Sequence, residues 1–175
     1  MKRSVFLGLA VVFVGPASVL AQDTEWNRYT LEDLGGVHVR FEVGEACETA
    51  GITASMYEAD VSLKLMDSDV GVLTQEEMLE LQALPELRIS IDCANGSNGS
   101  SDAMAWSVGL RVQQSAQMLR DTQITLPEAV TWFHTSIGAS SAGGAADAIG
   151  NALMRDVGTF AEAWTAINAE EKGDG

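Results

Sequence analysis

The chain has 175 residues, 10 basic and 25 acidic side chains, a net charge of −15 and a composition that is 46 % hydrophobic. So acidic a surface repels phosphate backbones and anionic lipid, which excludes nucleic acid as a partner. The apolar fraction is too high for a disordered acidic tail, so the charge coats a folded body.

The chain opens MKRSVFLGLAVVFVGPASVLAQ. Lys2 and Arg3 precede an apolar run, Val5 to Val14, too short to cross a bilayer, and Val19, Leu20 and Ala21 form a small-residue exit. This is the pattern of a secretory signal peptide, with cleavage expected after Ala21 and no membrane span left once it is removed. No cysteine stands at that point to carry a lipid. The expected organisation is a signal peptide over 1–21, an N-terminal segment over 22–34, one α+β domain over 35–169 and a disordered tail over 170–175. The expected location is periplasmic or secreted. Without Lys2 and Arg3, eight basic residues face 25 acidic ones, a net charge of about −17.

VHVRFEV is the first clear element: Val37, Val39, Phe41 and Val43 alternate with His38, Arg40 and Glu42. Period-two alternation marks a half-buried strand. A helix is expected from about Thr53 to Met66, with Ile52, Met56, Ala59, Leu63 and Met66 on one face, although VSLKL within it also reads as a strand. VGVL, Val70 to Leu73, reads as a short strand. TQEEMLELQALP follows as a short helix, Thr74 and Glu77 having capping-box spacing and Pro85 ending the run.

LRISIDC and WSVGLRVQQSAQM alternate in the same way, through Leu87, Ile89, Ile91 and Cys93, then Trp106, Val108, Leu110 and Val112. Between them ANGSNGSSD is a hairpin loop, with N-x-S sequons at Asn95 and Asn98 that are ordinary loop residues in a bacterial protein. AVTWFHTSI is a further strand. The strongest helix runs from about Ala145 to Asn168, where Ile149, Leu153, Val157, Phe160, Trp164 and Ile167 share one stripe and Arg155, Asp156 and Glu162 fall away from its centre.

These elements predict an α+β fold: a two-layer sandwich, its mixed, mostly antiparallel sheet of about five strands carrying two main helices on one face. The first strand–helix–strand unit makes a right-handed crossover, and the later strands form an antiparallel meander. Cys47 and Cys93 are the only cysteines, and in an oxidising compartment such a pair is expected to form a disulfide.

Motifs for chemistry fail on inspection. GASSAGGA, from Gly138, has the glycine spacing of a phosphate-binding loop but Gly144 and Ala145 where Lys and Ser or Thr belong, so it reads as a pliable strand-to-helix joint. DSDVG, from Asp67, starts like a calcium loop but reaches Gly71 at the fifth position and Met78 at the twelfth. The two histidines, His38 and His134, lack clustered ligand spacing, so neither a metal nor a cofactor is called for. Trp106, Trp132 and Trp164 read as core.

The polar side of the sheet is the surface that stands out. Arg40, Arg88 and Arg111 recur on the outward positions of three strands, with His38 and Gln113 among them, and suggest a platform for a partner protein or a small anionic ligand.

The order of DVSLKLMDSDVGVLTQEE, LRISI, WSVGLRVQQ, AVTW and VGTFAEAWTAIN resembles an uncharacterised family of small exported bacterial proteins. The resemblance implies a bacterial origin and a periplasmic or secreted location, and brings no activity. The functional expectation is therefore a non-enzymatic binding module of the bacterial cell envelope. Two alternatives stand: a small periplasmic hydrolase using His134 and carboxylates, and an oligomer-forming structural protein. A carboxylate within reach of His134 in a cleft favours the first, and an unpaired edge strand the second.

Overall fold

The computed structural model describes residues 23–96 and 102–169. The expected signal peptide with its cleavage point after Ala21, the sequon residue Asn98 and the tail over 170–175 lie outside them. A one-turn helix α1 (Glu25–Arg28) and a 3-10 turn (Tyr29–Leu31) lead into β1 (Val37–Val43). Then come α2 (Glu45–Thr49), a 3-10 turn (Ala54–Met56), α3 (Glu58–Met66), β2 (Val72–Leu73) and α4 (Gln75–Glu80). Three strands follow, β3 (Glu86–Asn95), β4 (Ala103–Gln117) and β5 (Thr125–Ser141), and the long helix α5 (Ala145–Asn168) closes the fold.

The strands form one five-stranded sheet in the order β2-β1-β3-β4-β5. β1 runs parallel to β2 and β3, whereas β3–β4 and β4–β5 are antiparallel, so the α+β class with a mixed sheet is the observed one. The parallel β1–β2 pair starts at a close approach of two backbones. Val37 N donates to Gly71 O at 2.8 Å, and a Cβ on Gly36, which sits at φ +145°, would lie 2.6 Å from that oxygen. Only glycine fits there.

Alternation sets the core. Leu87, Ile89 and Ile91 of β3 lie opposite Val112, Leu110 and Val108 of β4, and all six are fully buried. They share one cluster with Ile149, Leu153, Val157 and Phe160 of α5, and with Leu31 and Leu34 from the N-terminal segment. Trp132 of β5 meets Phe160 at 5.2 Å between ring centres, which brings α5 against the sheet. Each such side chain contributes about 1.5–3 kcal/mol on burial.

Several boundaries move. VSLKL is helical, but the buried face of α3 is Val61 and Leu65 with Tyr57 just before it, while Met56, Leu63 and Met66 are exposed. The expected stripe through Ile52, Met56, Ala59, Leu63 and Met66 was phased from too early a start. A 3-10 turn precedes the helix, and its three residues per turn break a count made at 3.6. The strand at the end of the meander is longer than AVTWFHTSI and runs on through Ser141, so the joint shrinks to a 3-10 turn at Ala142–Gly144. Gly138 belongs to the strand, where its missing side chain makes room for the Trp106 indole: a Cβ would sit 2.3 Å from the ring. The helix after Thr74 has both halves of the capping box, Glu77 N on Thr74 Oγ1 at 3.2 Å and Thr74 N on Glu77 Oε2 at 2.7 Å.

Cys47 of α2 and Cys93 of β3 are disulfide-bonded, with Cα atoms 5.1 Å apart. The bridge closes a loop spanning 46 residues and fastens α2, which otherwise buries only the Cys47 side chain, to the sheet. Replacing both cysteines by alanine is expected to lower unfolding stability by about 2–4 kcal/mol, since the unfolded chain then loses its cross-link. Urea denaturation of the oxidised wild type and the Cys47→Ala/Cys93→Ala variant measures the difference.

Candidate functional site

The outward residues of the sheet fall into transverse rows. Arg40 of β1 is in register with Arg88 of β3, Arg88 with Arg111 of β4, and Arg111 with Phe133 of β5. The next row holds His38, Glu86 and Gln113. The five residues singled out from the sequence thus occupy two neighbouring rows on one side of the sheet.

Like charges directly opposite one another on a sheet repel, and glutamates intervene. Arg88 Nη2 lies 2.8 Å from Glu86 and 3.6 Å from Glu128, and its Nε is 3.6 Å from Glu42. Arg40 reaches Glu42 at 3.7 Å and Glu86 at 4.0 Å. The exposed Arg40–Glu42 pair contributes about 0–1 kcal/mol, whereas Arg88 and Glu86 are half-buried. Arg111 is exposed and forms no ion pair among the described residues. His38 is engaged locally, its Nδ1 3.1 Å from the Leu73 carbonyl oxygen. Gln113, expected among the surface residues, is buried.

Toward the other end of the same side the chemistry changes. Asp92, Ser107 and Ile137 form one row and Ala94, Ala105 and Ala139 the next. Their small side chains leave a shallow hollow of about 560 Å³ bounded by Asp92 and Ile137. Ile137 is 82 % exposed, an unusual state for a large aliphatic side chain in mid-strand.

A second cluster lies on the core side. His134 alternates with Trp132, stacks near its indole with planes 19° apart, and places Nε2 3.4 Å from Asp156 Oδ1. Asp156 of α5 is wholly buried, where the sequence stripe had set it aside. Ala145, Ile149, Ala152, Asp156, Phe160 and Ala163, all buried, follow steps of four and three, so counting alanines as apolar would have found its position. Arg155 Nε donates to the same Oδ1 at 3.2 Å, and Nη2 donates to Ser136 Oγ at 2.9 Å. Oδ2 of Asp156 has no partner among the described residues. The carboxylate that the hydrolase reading asked for is therefore at hand. The cleft is not: the main surface hollows are lined by other residues. Ser136 is bonded to Arg155, not held by the imidazole, so no nucleophile–base pair forms. The group ties α5 to β5.

The sequence reading also missed an N-terminal latch. Trp132 Nε1 donates to Asp23 Oδ1 at 3.1 Å, and Arg28 grips the same carboxylate with Nε at 2.7 Å and Nη2 at 2.5 Å. Asn27 Nδ2 donates to the Thr131 carbonyl at 2.7 Å, and Gln114 Nε2 donates to the Thr30 carbonyl at 2.7 Å. No periodic signal marks these polar residues, since apart from the Arg28–Asp23 pair each reaches a group on another element. Among the described residues no cluster of three His, Cys, Asp or Glu is arranged to hold a metal ion.

No family model, curated protein or solved structure matches the chain. The residues themselves carry whatever functional argument is made.

The hydrogen bond from Arg28 holds the Asp23 carboxyl below the usual carboxylate range, against the opposing effect of burial and with help from Trp132. A depressed folded pKa means that this contribution is complete above the unfolded value of about 3.9 and is lost as pH falls through the folded one. Asp23→Asn should lower stability at pH 7 by about 1–2 kcal/mol, the partly solvated Arg28 keeping it in the lower part of the range for a charged hydrogen bond. The difference between wild type and variant, followed by thermal unfolding, should shrink as pH drops below about 4.

Proposed function

We propose that the protein is an exported, non-enzymatic module of the bacterial cell envelope that binds a partner protein through the outward side of its sheet. The observation that carries this reading is the set of exposed alternate residues opposite the core: Arg40, Glu42, Arg111, Thr135, Ile137 and Ala139 span three strands. Mixed charge at one end and small apolar side chains at the other suit a protein surface better than a small anion, because Glu42, Glu86 and Glu128 already balance Arg40 and Arg88. His38 and Gln113 lie in the row next to the arginines, Gln113 buried.

The periplasmic or secreted location is part of the same reading. The Cys47–Cys93 bond suits an oxidising compartment, and no helix among the described residues is long and apolar enough to cross a membrane. Cleavage after Ala21 would release the mature chain.

Arg111→Glu is the sharpest substitution, since Arg111 has no ion pair among the described residues and its loss should change stability by no more than about 0.5 kcal/mol. Crosslinking of the tagged chain in its own cells should capture a reproducible envelope protein, and Arg111→Glu should abolish that capture at unchanged Tm. Capture unaffected by Arg111→Glu would place the binding surface elsewhere.

A further inference from the structure

A sheet edge offers unpaired backbone groups, and folded proteins guard such edges with brevity, charge, proline, bulges or a covering side chain. β2, at one edge, is only two residues long. β5, at the other, has 17 residues and is guarded over its first half alone. Pro127 and Glu128 lie there, two irregularities break its register with β4 at Val112/Gln113 and Gln114/Ala116, and the Asn27 amide covers the Thr131 carbonyl. From Phe133 to Ser141 the strand has no proline, no acidic or basic residue besides His134, and regular pairing with β4. His134 and Ser136 engage α5 side chains on the core side, and among the described residues no side chain or loop is hydrogen-bonded to the backbone of the outer edge.

Beside that stretch lie the exposed Ile137 and the hollow it shares with Ala94, Ala105 and Ser107. Fixed charge around it is mainly negative: Asp92 on the hollow's rim and Asp102, whose carbonyl accepts from Ala142 N at 2.7 Å, just before β4. Of the cations nearby, Arg155 is held by Asp156, and Arg111 stands one strand away, opposite Phe133. A second copy of this chain would bring the same carboxylates to the junction, on top of a net charge of −15 per copy. The charge complement is basic.

We infer that the Phe133–Ser141 edge of β5 receives an extended, lysine- or arginine-bearing segment of another polypeptide as an additional strand. Backbone hydrogen bonds supply the alignment, the hollow beside Ile137 takes an apolar side chain of the incoming strand, and Asp92 and Asp102 attract its basic residues. The inference goes beyond the partner-binding reading, since it concerns a basic strand at the β5 edge and not the arginine-bearing surface.

Fluorescence anisotropy at physiological ionic strength tests it with the mature chain and a labelled decapeptide of alternating valine and lysine. Saturable binding is expected, weakened more than 10-fold by Ile137→Lys and unchanged within two-fold by Glu76→Gln, which makes the same charge change on α4. Methylating alternate backbone amides of the peptide, on whichever set faces β5, should abolish binding, and a glutamate-for-lysine peptide should not bind. Equal binding by both methylated peptides or to both variants would mean diffuse charge attraction and overturn the inference, as would no binding at all. A concentration-dependent dimer in sedimentation, lost in Ile137→Lys, would overturn it in favour of a second copy. The peptide assay reads the edge in vitro, whereas cellular capture reads the arginine-bearing surface, so either can fail without the other.

Discussion

Trp132 sits where the constraints on this fold meet. Its ring packs on Phe160 of α5, its neighbour His134 reaches Asp156 on the same helix, and its indole N–H holds Asp23 from the N-terminal segment. A sheet that is apolar on one side has to bury that side, and α5 is the one long element available. Its stripe is broad enough to bury ten residues, including a carboxylate. An uncompensated buried charge would be strongly destabilising, so His134 and Arg155 are required where they stand once Asp156 faces inward. What looks in isolation like part of a catalytic set is better explained as the polar fastening of helix to strand.

The regular elements were legible because their sequences obey a single period. β1, β3 and, as far as Val112, β4 alternate, and α5 repeats at steps of three and four from Ile149 to Trp164, so their existence and inward faces follow from the residue order alone. α3 was harder, since the 3-10 turn over Ala54–Met56 shifts the phase of everything after it. β5 was harder again: glycine and serine after Ile137 look like a loop, and only its register with β4 shows Gly138 accommodating Trp106. The disulfide was legible by arithmetic, two cysteines allowing one bridge.

The side-chain constellations were less accessible. That Arg40, Arg88 and Arg111 point outward follows from alternation, but their alignment in one row depends on strand order and register, which a pattern within one strand does not contain. The balancing of that row by Glu42, Glu86 and Glu128 is likewise a property of pairing. Asp23, Asn27 and Arg28 were invisible because the segment around them has no period at all. Leu31 and Leu34 still belong to the same core as the sheet, and the hydrogen bonds of Asp23, Asn27 and Thr30 fix that segment against β4 and β5.

One side of the sheet is thus consumed by stability, and the proposed recognition rests on the other, with the later half of β5. Amide hydrogen exchange resolved by residue in the monomer tests this division most directly. Amides of β3 and of β4 opposite the core should be protected to nearly the global unfolding free energy. Along Phe133–Ser141 protection should alternate, slow where an amide bonds to β4 and fast where it faces outward. Uniform slow exchange along that stretch would show the edge to be covered within the chain itself, and would contradict the account.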